Sequence, residues 1–107
     1  MRQMVRATLQ SAGYDVVEAA DGQEALDFAR TKSVDLVISD VNMPRMDGIT
    51  LVQNLRALPT YRLTPLLLLT TESSQEKKME GKKAGATGWI VKPFNPAQLL
   101  ATLQKLL

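Results

Sequence analysis

The sequence predicts an α/β fold in which helices cover both faces of an open parallel sheet. Short apolar runs alternate strictly with segments of helical periodicity, and the connections between them are short. The runs 34–39 and 66–69 do not alternate cleanly with polar residues, which is typical of strands buried on both faces of a parallel sheet. A chain of 107 residues, 45% hydrophobic and 22% charged, suits one globular domain with one core.

The first half of the chain reads as helix, strand, helix, strand. Apolar residues at helical spacing predict a helix over 1–12, and Gly13 is its stop signal. A strand is expected at 14–19, centred on two valines. Asp21, with Glu24 three residues later, is an N-cap signature that opens a helix through Arg30. The apolar run at 34–39 is the next strand.

The second half continues the alternation, which makes the order α-β-α-β-α-β-α-β-α. Five helices and four strands are expected, in one domain that spans residues 1–107 with helices on both faces of the sheet. The helix at 73–83 is almost entirely polar and should be held loosely, which makes it a plausible contact surface for partners. The expected segments are a helix at 47–58, a strand at 66–71, a helix at 73–83, a strand at 87–92 and a helix from Pro96 to the end.

Composition excludes several classes of function. The chain has no cysteine, which rules out disulfides and thiolate sites, and no histidine, which rules out His-based acid–base and metal chemistry. A net charge of +2 is too small to suggest nucleic-acid binding. No apolar run is long enough to span a membrane and no signal peptide opens the chain, so a cytoplasmic protein is expected.

Three strands end in residues that could carry chemistry. Asp40, Thr70 and Lys92 follow successive apolar runs, and the carboxyl ends of parallel strands meet at one edge of a sheet. A carboxylate, a hydroxyl and an ammonium at that edge could accept or bind an anionic group. Taken singly, each residue is more often structural: a turn aspartate, a β-branched strand residue and an exposed lysine. Together, in this order, they favour a site.

The motifs around these residues resemble one family. SDVNMPRMDG at 39–48, LTTES at 69–73 and GWIVKPF at 88–94 are similar to the receiver domain of two-component response regulators, and most closely to the single-domain chemotaxis (CheY-like) type. The resemblance runs over essentially the whole chain. It implies a flavodoxin-like, doubly wound parallel sheet.

The resemblance also implies a role for each site residue. Asp40 would be the phosphoacceptor, Thr70 the switch hydroxyl and Lys92 the lysine that contacts the phosphoryl group. Asn42 would offer its backbone carbonyl, beside Asp40, as a ligand for Mg²⁺. Trp89 falls at the aromatic switch position of the family, although simple core packing would also explain a tryptophan there.

The implied function is that of a signalling switch and not of an enzyme. A histidine kinase would donate the phosphoryl group to the aspartate, and the change would alter a surface within 73–107 on which a target protein docks. A flavodoxin-like protein that binds FMN would have the same fold. The sequence supports that hypothesis less well, because no Gly/Ser/Thr-rich phosphate loop follows a first strand.

One departure from the family pattern affects these expectations. The family's domain opens with a strand that ends in two acidic residues and lies at the centre of the sheet, in the order 2-1-3-4-5, and this sequence shows no counterpart to it. The domain is therefore expected to be N-terminally incomplete, with Mg²⁺ binding weak or absent. Strands 15–19 and 34–39 would face each other unpaired, which favours local rearrangement, a homodimer or strand exchange.

The sequence leaves two alternatives open. The chain could be a truncated receiver that acts without phosphorylation, as a protein-binding or self-associating module. Alternatively, the opening strand could belong to a longer parent protein.

Overall fold

A computed structural model describes residues 2–41, 46–70, 75–92 and 94–106 of the chain, without the side chains of Arg2 and Gln75. Within these residues there are five α-helices, three β-strands and one short 3₁₀ helix. In chain order they are α1 (Arg2–Ser11), α2 (Gly22–Thr31), β1 (Val37–Asp40), α3 (Gly48–Arg56), the 3₁₀ helix (Pro59–Tyr61), β2 (Leu66–Thr70), α4 (Gln75–Ala84), β3 (Gly88–Val91) and α5 (Pro96–Leu106).

The three strands form a parallel sheet in the order β1-β2-β3. In the register, Asp40 lies opposite Leu69, and Thr70 lies opposite Val91. Every residue of β2 is buried, as the unbroken apolar run predicts for the central strand of these three. The α/β fold with a parallel sheet is therefore confirmed.

Side chains that alternate along the strands divide the core into two layers. Leu66 and Leu68 of β2 pack in the layer that contains α2 and α3, and Trp89 of β3 packs against the same layer. Leu67 and Leu69 point to the other layer, which contains residues of α1 and α5. Helices consequently cover both faces of the sheet.

Three helices begin at a capping side chain, and the first of them is the Asp21 cap that the sequence predicts. The carboxylate of Asp21 accepts a hydrogen bond from the backbone N–H of Glu24 at 2.9 Å. Asp47 accepts from Thr50 N–H at 2.7 Å, and Asn95 accepts from Gln98 N–H at 2.7 Å. Each side chain satisfies an N–H group that the first helical turn leaves without a partner.

The structure corrects the predictions at four places. β1 begins at Val37 and not at 34, and it includes Asp40. Residues 14–19 form no strand, so the described sheet has three strands where four were expected. Helix α3 ends at Arg56 and not at 58, and the 3₁₀ helix over Pro59–Tyr61 was not foreseen. Residues 73 and 74, where the helix at 73–83 was expected to begin, lie outside the described residues. A strand requires a neighbour with which to exchange hydrogen bonds, and β1 does not reach residues 14–19.

A cavity of about 800 Å³ lies between residues 14–19 and β1. Val16 lines one wall, Leu36 and Ile38 line another, and Leu9 of α1 closes one side. β1 pairs with β2 on its other edge only. We call this cavity the slot; Asp40 lies among its lining residues, so it adjoins the strand-end site.

Candidate functional site

Asp40, Thr70 and Lys92 lie at one edge of the sheet, as the sequence predicts. Asp40 is the last residue of β1, Thr70 is the last residue of β2, and Lys92 directly follows β3. The parallel register places these three positions at nearly the same level, because Asp40 pairs with Leu69 and Thr70 pairs with Val91. The backbone N–H of Lys92 donates to the carbonyl of Thr70 at 2.7 Å, which joins the ends of β2 and β3.

Asp40 and Lys92 form an ion pair across the end of β2, between the carboxylate Oδ1 and the ammonium Nζ. Their side chains are 34% and 19% exposed, so the pair is partly shielded from water. Asp40 Oδ1 itself is buried, and within the described residues no hydrogen bond satisfies it. The ion pair with Lys92 is therefore the interaction that compensates the burial of this oxygen.

Strand alternation explains why these two side chains meet. Asp40 is two residues beyond Ile38 in β1, and Lys92 is two residues beyond Ile90 in β3. Both isoleucines contribute to the layer of α1 and α5. Side chains two residues apart share one face of a sheet, so the carboxylate and the ammonium emerge on the same side.

The backbone of Asp40 is held by its neighbours. Ser39 Oγ donates a hydrogen bond to the carbonyl oxygen of Asp40 at 3.0 Å. Gly48, the first residue of α3, packs so closely that a Cβ atom there would lie 2.2 Å from the same oxygen. Gly48 N–H donates to Val41 O at 2.8 Å, which fixes the start of α3 against the end of β1.

Thr70 and Trp89 belong to the other face of the sheet. Trp89 lies opposite Leu68 in the register, and Thr70 is two residues beyond Leu68 in β2. Thr70 is 1% exposed, so its side chain is buried at the end of β2. The strand-end site consequently has an Asp40–Lys92 side and a Thr70–Trp89 side, joined by the backbone of β2 and β3.

The described residues do not fit a magnesium site. They contain no cluster of three or more Asp, Glu, His or Cys side chains that could hold a metal ion. Asp40 offers one carboxylate, and that carboxylate already pairs with Lys92. Asn42, whose carbonyl was expected beside it, lies outside the described residues. Mg²⁺ needs near-octahedral oxygen coordination, which one paired carboxylate does not supply.

Sequence reasoning missed the residues that shape the site without carrying its chemistry. Ser39 was read as part of a strand, and Gly48 as the start of a helix. Gly81, the residue of α4 that lies against Trp89, was not singled out. Spacing could have indicated Ser39, because it precedes the candidate aspartate. No signal in one sequence shows that a helical glycine faces an indole ring.

The comparisons with known proteins agree with this geometry. A family model described as the response regulator receiver domain matches residues 1–104. The chain belongs to the response regulator receiver family. Among its relatives, this receiver is 39% identical over 107 residues to chemotaxis protein CheY-3 of Vibrio cholerae, a match that covers 99% of this chain and 82% of the relative.

Solved structures place the receiver among CheY-like proteins. It superposes on chemotaxis response regulator CheY4 of Vibrio cholerae with a TM-score of 0.94 and 59% identity, covering 99% of this chain and 88% of that one. A second neighbour is the receiver domain of sensor histidine kinase PA1611 from Pseudomonas aeruginosa, described with a magnesium ion coordinated in its active site cleft. That neighbour has a TM-score of 0.90 and 30% identity, and the match covers 98% and 86% of the two chains.

The receiver is thus a CheY-like response regulator domain of chemotaxis and two-component signalling. No helix within its described residues is both long enough and apolar enough to cross a membrane.

Proposed function

We propose that this receiver is a phosphoryl-accepting switch in which Asp40 is the acceptor. A partner histidine kinase supplies the phosphoryl group from a phosphohistidine, and the Asp40 carboxylate attacks the phosphorus in line. The N–P bond breaks and an acyl phosphate forms on Asp40. The histidine ring takes up one proton from solvent and leaves as a neutral imidazole. The receiver acts as acceptor and signal carrier in the cytoplasm, and not as an enzyme that turns over a substrate.

The observation that carries this proposal is the Asp40–Lys92 ion pair at the strand ends. A carboxylate that attacks a phosphoryl group brings two anions together, and catalysis of that transfer depends on positioning and charge neutralisation. In this proposal, the Lys92 ammonium neutralises part of the charge that develops during the transfer. Thr70 ends the strand between them, and its hydroxyl is the donor proposed to contact the phosphoryl oxygens.

The output is proposed to be a change of surface within residues 73–107. Phosphorylation replaces the single negative charge of the Asp40 carboxylate with the roughly two charges of an acyl phosphate, a net gain of about one. Thr70 then moves toward the phosphoryl group and Trp89 turns into the space beside it, because both side chains lie on one face of the sheet. α4, β3 and α5 form the surface that responds, and a target protein docks on it.

Mg²⁺ is proposed to bind this chain weakly or not at all. The single described carboxylate of the site is engaged by Lys92, and a divalent cation would have to compete with that ammonium. The proposal can be checked by titrating the emission of Trp89, the only tryptophan of the chain, with Mg²⁺. Saturation at micromolar Mg²⁺ would contradict it.

The acceptor is tested by phosphoryl incorporation from a small acyl phosphate or from a partner kinase. Asp40→Asn should abolish incorporation in a chain that otherwise labels. Asp47→Asn is the matched control: Asp47 is an exposed aspartate in the same segment, and asparagine retains its capping hydrogen bond. Equal labelling of Asp40→Asn and Asp47→Asn would show that Asp40 is not the acceptor.

The slot favours a second candidate, a self-associating module that acts without phosphorylation. β1 presents an edge that pairs with nothing in the described sheet, and residues 14–19 form no strand although their valines favour one. Two copies could exchange these segments, so that each copy's 14–19 pairs in the other's slot as a homodimer. Val17 is 62% exposed and available for such a contact.

Sedimentation velocity over a range of protein concentrations tests this second candidate. A concentration-dependent dimer that Val17→Lys dissociates would support it, since a charge on an edge strand opposes pairing. A monomer at every concentration would exclude it and would leave the phosphoryl-accepting function unaffected.

A further inference from the structure

Gly81 of α4 lies directly against the indole ring of Trp89. A Cβ atom on Gly81 would come within 2.8 Å of Trp89 Cζ3 and 3.1 Å of Cε3. It would also lie 3.1 Å from Leu68 Cδ1, which belongs to the neighbouring strand β2. The six-membered ring of the indole therefore occupies the space that any side chain at position 81 would fill.

This contact matters because α4 has few other apolar attachments. Its buried residues with described side-chain positions are Gly81 and Ala84, both small, and its one large apolar side chain, Met79, is 52% exposed. A short helix depends on tertiary packing for its stability. Here the large apolar surface in the contact comes from Trp89 and Leu68, and α4 contributes its close-approaching backbone.

A glycine inside α4 needs a reason of this kind. Glycine is less favourable than alanine in a helix interior, and the surrounding positions carry good helix formers such as Glu80 and Lys82. Alanine at 81 would improve the intrinsic stability of the helix. The tight fit to Trp89 is the feature of the structure that alanine would disrupt.

The position of the indole also leaves its ring nitrogen without a hydrogen bond among the described residues. Trp89 Nε1 is buried, and within the described residues its N–H has no hydrogen-bond acceptor. Burying a donor without an acceptor is unfavourable. Packing against Gly81 and Leu68 must therefore hold the ring, and a different position of the ring that exposes Nε1 would relieve this cost.

We propose that Gly81 is a positioning residue for Trp89. Because position 81 has no side chain, the indole lies directly against the backbone of α4. This close contact makes α4 and Trp89 move together. Trp89 lies opposite Leu68, two residues before Thr70 on the same face of the sheet. A displacement at the end of β2 would reach α4 through this contact. That regulatory consequence rests on the proposed function, whereas the positioning itself does not.

Gly81→Ala tests the positioning through the emission of Trp89, with Lys82→Ala as the control in the next, exposed position of the helix. The added methyl group should push the indole outward, shift its emission to longer wavelength and increase its quenching by acrylamide. Far-UV circular dichroism should show unchanged helix content. Lys82→Ala should leave the emission unchanged. An emission spectrum of Gly81→Ala identical to the unsubstituted chain would overturn the proposal.

Removing the indole provides the second arm. In a Trp89→Phe chain, the space opposite position 81 is enlarged, and Gly81→Ala should then lower the unfolding equilibrium constant by about fivefold through helix propensity alone. In the chain that retains Trp89, Gly81→Ala should raise the unfolding equilibrium constant, because the added methyl group contacts the indole too closely. The double-mutant cycle should give a coupling of about tenfold in that constant, measured by urea unfolding followed by circular dichroism.

Each outcome decides the question. If Gly81→Ala fails to fold while the double variant folds, the two residues are coupled as proposed. If the double variant also fails to fold, or if alanine has the same effect on stability in both chains, the proposal is wrong. None of these measurements uses phosphorylation, so a failure to label Asp40 would refute the proposed function without affecting the role of Gly81.

Discussion

Lys92 Nζ and Asp40 Oδ1 form an ion pair over the end of β2, although their strands are not neighbours in the sheet. The pair spans the end of β2, where Leu69 lies opposite Asp40 in the register. It therefore has two consequences. It neutralises the proposed phosphoacceptor, and it links β1 to β3 by a contact that no backbone hydrogen bond makes.

Removal of the ammonium should destabilise the fold. Lys92→Ala leaves a partly buried carboxylate without its partner, and the expected loss is about 1–2 kcal/mol, between the values for exposed and for fully buried pairs. Urea unfolding measures the difference. Lys105→Ala, at an exposed position of α5, is the control and should change stability by less than about 0.5 kcal/mol. Equal stability of the two variants would show that the ion pair contributes nothing.

Arg56, the last residue of α3, binds the two segments that precede β2 and β3, at the end of the sheet opposite to Asp40 and Lys92. Its Nε donates to Gly85 O at 2.8 Å, and one terminal nitrogen donates to the carbonyls of Tyr61 at 2.6 Å and Thr64 at 2.7 Å. Its other terminal nitrogen donates to Thr87 Oγ1 at 3.0 Å. Burial lowers the pKa of the guanidinium from its ordinary value, a sign that the group is partly removed from water.

Arg56→Lys should cost about 2–4 kcal/mol in urea unfolding, because lysine cannot serve these acceptors at once and leaves partly buried carbonyls unpaired. The same exchange at Arg30, an exposed residue that pairs only with Asp27 at 3.5 Å among the described ion pairs, should have almost no effect. A small loss for both variants would mean that water replaces the Arg56 contacts.

Most of this fold follows from local sequence signals. The unbroken run of leucines predicts β2, and the cap at Asp21 predicts the start of α2, because each signal acts within a few residues. The meeting of Asp40 and Lys92 at one edge follows from the parallel order of the strands. The resemblance to a family added roles for these residues that spacing alone could not assign.

The remaining features depend on contacts between distant parts of the chain. Residues 14–19 have the composition of a strand, but pairing decides whether a strand forms, and the slot lies between these residues and β1. Tyr61 is fully buried, and its hydroxyl donates to Lys32 O at 2.6 Å, an interaction that joins segments 29 residues apart. Neither the slot nor the contact between Gly81 and Trp89 has a signal in the local pattern.

The cap at Asp21 gives a prediction about the start of α2. Asp21 is 7% exposed and accepts from Glu24 N–H. Asp21→Ala should cost about 1 kcal/mol, while Asp21→Asn should preserve most of the stability because its side-chain oxygen still accepts that hydrogen bond. Thermal unfolding of the two variants provides the comparison. If asparagine and alanine are equally destabilising, the charge and not the hydrogen bond is what Asp21 contributes.

The last prediction compares two glycines that are required for different reasons. Gly48 has no room for a Cβ, since that atom would lie 2.2 Å from Asp40 O, a backbone atom. Gly13 has nothing within 4 Å but adopts a φ of +94°, which costs an alanine about 1–2 kcal/mol. Gly48→Ala should be the more destabilising of the two. It should lower the free energy of unfolding by about 3 kcal/mol or more, because α3 and the end of β1 must separate.

The two variants should also differ at the strand-end site. Gly48→Ala displaces the backbone of Asp40 itself, so it should reduce phosphoryl incorporation at a temperature where the chain remains folded, whereas Gly13→Ala should lower stability without affecting labelling. Urea unfolding and incorporation, measured on the same samples, separate the two effects. If Gly48→Ala labels as well as Gly13→Ala, the close packing of α3 against Asp40 positions the helix but not the acceptor.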